Sequence, residues 1–305
     1  MFTTITDQLS FPEGPIAMAD GSVIVVEIRR GTLTRVSDNG AVEVIAQLGG
    51  GPNGAAIGPD GACYVCNNGG FSWMEDEQGA RPTGTPSDYA GGSIQRVDLS
   101  TGSVEQLYTH CGDVPIRGPN DIVFDREGGF WFTDPGKRRP EDLDYGAVYY
   151  ATCDGKHIER IVHPIQHPNG IGLSADENQL YVAETQTGRL WSFDIAAPGR
   201  ITKQPFPSPH GGALVAGIAG YRLFDSLALD SAGNICVATL MDGGITTISP
   251  DGSDVSFLSL PDPYTTNICF GGADLSTAYI TLSAHGRLVK MPWSIPGLPL
   301  NFLNT

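Results

Sequence analysis

An all-β chain folded as a six-bladed β-propeller of four-stranded antiparallel blades is what this sequence predicts, and three observations predict it. The composition is that of turns and strands, one unit recurs six times along the chain, and each copy of that unit opens on a polar residue of the same kind. Forty glycines and 22 prolines in 305 residues, with only 17% charged side chains, describe many turns and little amphipathic helix. A chain of this length needs either two cores or one repetitive one, and the repeat favours a single propeller domain over residues 1–305.

The copies begin at Glu13-Gly14-Pro15-Ile16, Asn53-Gly54-Ala55-Ala56, Asn120-Asp121-Ile122-Val123, Asn169-Gly170-Ile171-Gly172, Asp225-Ser226-Leu227-Ala228 and Asn267-Ile268-Cys269-Phe270. A turn follows each at nearly the same offset: Asp20-Gly21, Asp60-Gly61, Glu127-Gly128, Asp176-Glu177, Ala232-Gly233 and Asp274-Leu275. β-Branched and aromatic runs come next, such as the one from Ser22 to Glu27 and the one from Gly129 to Asp134, and they read as second strands. Third strands open on glycine, at Gly31, Gly92, Gly146, Gly188, Gly244 and Gly286. A fourth strand follows in most copies.

The sixth copy lacks an obvious fourth strand, whereas Thr3-Thr4-Ile5-Thr6 stands strand-like before the first. This N-terminal segment is expected to complete the last blade and close the ring. Two copies carry long Gly-, Pro- and polar-rich insertions, residues 71–90 and 204–221. The first has aromatic residues enough to cover a pocket and is read as a lid.

If the inner strands run outward from a central channel, their opening residues converge on the axis. Glu13, Asn53, Asn120, Asn169, Asp225 and Asn267 then bring two carboxylates and several amide oxygens together. Crowded carboxylates raise one another's pKa unless a cation neutralises them, and hard divalent cations favour oxygen donors. Asn-Gly pairs are also common turn formers, which accounts for Asn53 or Asn169 taken singly, but not for Glu13 before Gly-Pro or Asp225 before Ser. No histidine falls in this column. His167, two residues before Asn169, and His285, before the Gly286 strand, are left as possible neighbours of the pocket.

Thirty-four acidic residues against 18 basic ones give a formal charge of −16, which opposes nucleic acid and anionic membrane surfaces as partners. The start of the chain shows no signal-peptide pattern and no apolar run reaches transmembrane length, so a cytoplasmic protein is expected. Nothing in the sequence sets the oligomeric state. Cys63 and Cys66 have CxxC spacing, but within a strand they point to opposite faces, so the six cysteines are read as free thiols. There is no GxSxG elbow, and the Gly-rich stretch from Gly49 to Gly54 lacks the Lys-Ser/Thr of a phosphate loop.

Five motifs in order, Phe11-Pro12-Glu13-Gly14-Pro15, Gly118-Pro119-Asn120-Asp121, Pro168-Asn169-Gly170-Ile171, Asp225-Ser226-Leu227-Ala228-Leu229-Asp230 and Phe270-Gly271-Gly272-Ala273-Asp274, span nearly the whole chain. Together they resemble the gluconolactonase / senescence marker protein / luciferin-regenerating enzyme family of six-bladed propellers. The resemblance implies one divalent metal held by Glu13, Asn169 and Asp225, with Asn120 beside it as ligand or substrate contact. It implies hydrolysis of a small-molecule lactone, such as a sugar lactone, with Asp225 as general base, and it makes Arg117 a candidate for binding substrate hydroxyls or a carboxylate. Calcium is the favoured ion, with zinc or manganese as the alternatives. Two other readings stay open: a phosphotriesterase-like hydrolase on the same metal site, and a non-enzymatic propeller with a structural calcium.

Overall fold

A computed structural model describes residues 1–304, and it is a ring of six antiparallel sheets without a helix among those residues. Blade 1 runs outward from the axis through Pro12–Ala17, Val23–Glu27, Thr32–Val36 and Val42–Gln47. Blade 2 uses Pro52–Ile57, Cys63–Asn67, Ser93–Val97 and Val104–Tyr108, and blade 3 uses Ile122–Phe124, Gly129–Asp134, Gly146–Thr152 and Ile158–Ile165. Blade 5 is Leu223–Leu229, Ile235–Leu240, Gly244–Ile248 and Val255–Ser259. Among the described residues no helix is long and apolar enough to cross a membrane.

The turns expected from sequence all lie between inner and second strands. Glycine holds the left-handed backbone position in four of them, at Gly21, Gly61, Gly128 and Gly233. Glu177 and Leu275 occupy the same position in blades 4 and 6 with φ of 58°, a conformation that costs a side-chain-bearing residue about 1 kcal/mol.

Second strands are buried along their whole length in blades 1, 2, 3 and 5 and beyond their first residue in blades 4 and 6, because each blade is covered on both faces by its neighbours. The core is therefore divided among the gaps between blades. Tyr64, Phe124 and Phe130 fill the gap between blades 2 and 3, and Trp131, Val182 and Phe193 that between blades 3 and 4. Cys63 packs toward blade 1 and Cys66 toward blade 3, on opposite faces of one strand, and all six thiols are free.

Blade 4 departs from the expectation. Residues 204–221 contain a strand, Ala213–Gly217, that pairs with the third strand Arg189–Ala197 beside the short Arg200–Thr202 segment. Its Ala-Leu-Val-Ala-Gly sequence is hidden by the surrounding Gly and Pro. Residues 71–90 form a β-hairpin, Ser72–Asp76 with Gly79–Gly84, that reaches from blade 2 past blade 1 to blade 6. There the Ala80 N–H donates to the Ala284 carbonyl at 2.9 Å, Trp73 packs on Phe11 with ring centroids 4.9 Å apart, and Glu75 pairs with Arg29 at 2.7 Å.

Thr3–Thr6 pairs antiparallel with Arg287–Pro292 and becomes the outermost strand of blade 6, next to Thr277–Leu282 and Thr265–Gly271. Leu9 then enters the gap between blades 6 and 1 with Val25, Tyr279 and Leu288. Deleting residues 1–9 removes both the strand and this plug. The melting temperature is expected to fall by roughly 5 °C or more, at ~2–4 °C per kcal/mol for a chain of this size, as read by thermal unfolding.

Candidate active site at the channel axis

Near the axis the inner strands crowd one another, and every one of them carries one extra residue there. Glu13 pairs with Val26 and Ile16 with Ile24, leaving two residues against one; the same break falls between Pro52 and Ala55, Pro168 and Ile171, Phe224 and Leu227, and Thr265 and Asn267. In blade 3, Asn120 and Asp121 both bond to Thr133. Such a bulge turns two successive side chains toward the channel instead of one.

The glycines after Glu13, Asn53 and Asn169 follow from this crowding rather than from turns. A Cβ on Gly14 would lie 2.7 Å from the Asn53 carbonyl, and one on Gly170 would lie 2.6 Å from the Asp225 carbonyl. On Gly54 it would strike the Asn120 carbonyl. Each glycine admits the neighbouring backbone.

Two stacked rings result. The upper one is Glu13, Asn53, Asn120, Asn169, Asp225 and Thr266, all buried side chains that line a cavity of about 1060 Å³. The lower one is Gly14, Gly54, Asp121, Gly170, Ser226 and Asn267. The expected column is thus corrected in blade 6, where Thr266 takes the upper position and Asn267 stands one step deeper. The bulge is invisible in the residue string, and Asn is the more familiar partner for the column, so the alignment slips by one.

Side chains of the lower ring form a polar plug. Asn267 Nδ2 donates to Glu13 Oε2 at 2.7 Å, and Ser226 Oγ lies 3.3 Å from Glu13 Oε1 and 3.5 Å from Asn169 Oδ1. Asp121 accepts from the Ile122 N–H at 3.0 Å and from the Ile171 N–H at 3.4 Å. Below the plug is an apolar cavity of about 350 Å³ lined by residues such as Ile16, Phe124, Leu173 and Leu229 and bordered by the segment 298–303.

Burial dominates the electrostatics. It lifts the Glu13 carboxyl well above its usual range, with further increments from Asp225 and Asp121. Burial pushes Asp225 up to about 8 and Asp121 up to about 7, and no basic side chain appears among the groups that oppose this. Asn120 Oδ1 is buried without a hydrogen-bond partner among the described residues. An orphaned carbonyl oxygen beside three uncompensated carboxyls is the donor set of a hard cation, so the residues fit a divalent ion. Carboxylates alone do not compose the site: among the described residues no three His, Cys, Asp or Glu side chains cluster as ligands, and the amide oxygens are needed.

His167 lines the cavity in the left-handed backbone region (φ 48°), its Nδ1 unpartnered among the described residues and its pKa pushed down to about 4 by burial and then by the nearby Arg138 charge. His285 Nδ1 instead meets Asp262 Oδ2 at 3.0 Å, outside the lining residues. Arg117 also stays outside the lining; its side chain is exposed while its backbone N–H donates to Asp134 Oδ2 at 2.8 Å. Sequence reasoning passed over Asp121, which shares a motif with Asn120, and over Lys137 and Arg138, which line the cavity from the loop after Asp134.

The raised carboxyls set a pH dependence. A group that holds its proton more tightly folded than unfolded contributes stability that is full below the unfolded pKa and is lost as pH rises through the folded one. With divalent ions chelated, the melting temperature is expected to drop by about 5 °C or more between pH 5 and pH 8.5, against the usual trend, and Asp225→Asn is expected to flatten the slope in the same thermal scan.

Comparison with known proteins gives the family and the fold. A family model described as the SMP-30/Gluconolactonase/LRE-like region matches residues 11–284. The chain is 28% identical over 251 residues to Lactonase drp35 of Staphylococcus saprophyticus, covering 82% of this chain and 69% of the relative. It is 29% identical over 198 residues to the diisopropyl-fluorophosphatase of Loligo vulgaris, covering 60% of this chain and 59% of the relative. In three dimensions it is similar to a calcium-binding regucalcin from Agrobacterium tumefaciens, with a TM-score of 0.75 at 19% identity, covering 100% of this chain and 97% of that one.

Proposed function

The chain belongs to the SMP-30/gluconolactonase/LRE-like family, and on that premise we propose that it is a lactone hydrolase that works with one divalent cation at the upper ring, calcium in first place and zinc or manganese as alternatives. The observation that carries the reading is a single cavity onto which Glu13, Asp225 and the orphaned Asn120 Oδ1 all open, with no basic side chain in contact with either carboxyl among the described residues. Glu13, Asn169 and Asp225 would hold the ion, with Asn120 as fourth ligand or substrate contact. Bound there, it supplies Lewis acidity toward a lactone carbonyl and charge balance for the tetrahedral oxyanion.

The chain's own residues supply the rest. Asp225, a carboxylate that faces the cavity and that a bound cation would keep ionised, takes a proton from the attacking water. Oxygen of that water bonds to the acyl carbon, the ring C–O bond breaks, and its oxygen takes the proton back from Asp225 and leaves as the hydroxyl of a hydroxy acid. Ser226 and Asn267 hold Glu13 from below, which fixes its carboxylate toward the cavity. The hairpin of residues 71–90 lies over the cavity and limits the water that reaches it. The polar ring and the volume of the cavity suit a hydroxylated, sugar-type lactone.

A second reading, hydrolysis of a phosphotriester or fluorophosphate on the same residues, is favoured by the fluorophosphatase relative. Both chemistries need a Lewis acid and an attacking oxygen, so a substrate panel separates them. Sugar lactones are expected to be opened with the higher kcat/KM, as followed by acid release.

Asp225→Asn is expected to lower kcat by about 10²–10⁴-fold without unfolding the chain, and near-normal turnover would remove the base assignment. Dialysis against a chelator is expected to abolish turnover, with recovery on adding calcium; activity that persists in protein shown to be metal-free by elemental analysis would overturn the metal-assisted reading.

A further inference from the structure

The loop Gly136-Lys137-Arg138-Arg139-Pro140 forms one wall of the upper cavity, opposite in charge to its floor. In a chain of formal charge −16 with only 18 basic residues, three consecutive cations at one cavity wall need a partner. Arg139 has one: its guanidinium reaches Asp144 at 3.0 Å and also pairs with Asp142. Its two neighbours do not.

Lys137 is buried, with Nζ donating to the Gly70 carbonyl at 2.8 Å and approaching Asn68 Oδ1 at 3.5 Å. The rings of Phe71 and Tyr89 lie 4.7 Å and 5.0 Å from the ammonium. No carboxylate stands within ion-pair distance of it among the described residues, and burial pulls its pKa down to about 8. Arg138 is exposed to the cavity, and its side chain makes no hydrogen bond or ion pair among the described residues. Its charge is felt by His167 on the cavity wall. The Arg138 backbone is nonetheless fixed: its carbonyl accepts from Thr85 Oγ1 of the lid at 2.8 Å, and the Lys137 N–H donates to Asp144 Oδ2 at 3.0 Å.

A held backbone that presents an unpaired guanidinium to a cavity, with a desolvated ammonium beside it, is a receptor for an anion. The planar fork of guanidinium matches a carboxylate with two parallel hydrogen bonds. The floor carboxylates call for a cation and would repel an acid, so the acid group of a substrate has one favourable place, the wall. We propose that Arg138, backed by Lys137, selects lactones that carry a carboxylate outside the ring, with the ring carbonyl at the floor and the carboxylate at the wall. This deepens the lactone-hydrolase reading and rests on it.

The test is acid release by the calcium-loaded protein on two lactones of one ring size, an aldonolactone and the aldarolactone that differs by a terminal carboxylate. The wild type is expected to prefer the aldarolactone about tenfold or more in kcat/KM, mainly through KM, and Arg138→Ala is expected to bring that ratio close to one while Arg138→Lys retains part of it. A wild-type ratio at or below one, with the aldonolactone opened, overturns the selectivity and leaves lactone hydrolysis standing. Preference for a phosphorylated lactone over the aldarolactone overturns the carboxylate as the group recognised. If neither lactone is opened, the lactone-hydrolase reading fails, and the wall is judged by calorimetry with the open-chain aldarate. Binding weakened about tenfold by Arg138→Ala supports an anion receptor, and equal binding in the two proteins overturns it.

Discussion

Six inner strands meet around one axis, and the space left between their backbones governs what each can carry there. Where a neighbouring carbonyl comes within 2.7 Å of the place a Cβ would occupy, as at Gly14, only glycine is admitted. The extra residue in each strand lets the chain absorb that crowding without losing its pairing on either side. It also aims one polar side chain per blade upward. The ring at the site and the glycines behind it are two expressions of the same steric limit.

Three blades fill the lower position with a side chain instead, and Asp121, Ser226 and Asn267 divide the channel into a polar upper chamber and an apolar lower one. The division concentrates negative charge where solvent is scarce. Burial makes these carboxyls hold their protons near neutral pH unless something positive joins them, which is why the proposed cation and the site belong to one argument. The lid strengthens that coupling, since its hairpin passes blade 1 to reach blade 6 and its base meets the basic wall through Gly70, Phe71 and Lys137.

Much of this was legible in the sequence. The turns and the β-branched runs fix the blades because hairpin chemistry is local, and the spare strand at Thr3–Thr6 pointed to its missing partner in the last blade. Glu13, Asn53, Asn120, Asn169 and Asp225 could be aligned because five copies share a polar residue after a similar approach. Thr266 could not, since a bulge moves register by one without leaving a trace in residue type. Asp121 was hidden by standing next to a residue already assigned, and the Ala213–Gly217 strand by its small, turn-like composition. Lys137 and Arg138 carry no signal in the residue string, because which way a loop faces depends on contacts such as Thr85 with Arg138 that are far apart in the chain.

Pairing of Thr3–Thr6 with Arg287–Pro292 joins a strand that precedes the first blade to the third strand of the sixth. The Thr3–Thr6 strand has no partner until residues 287–292 have been made, so the ring closes only after the first five blades have been synthesised. Until then the sixth blade lacks its outer edge, and two unpaired strand edges belonging to one molecule are exposed to those of others. Closure therefore acts as a timer on folding as well as a clasp on the fold.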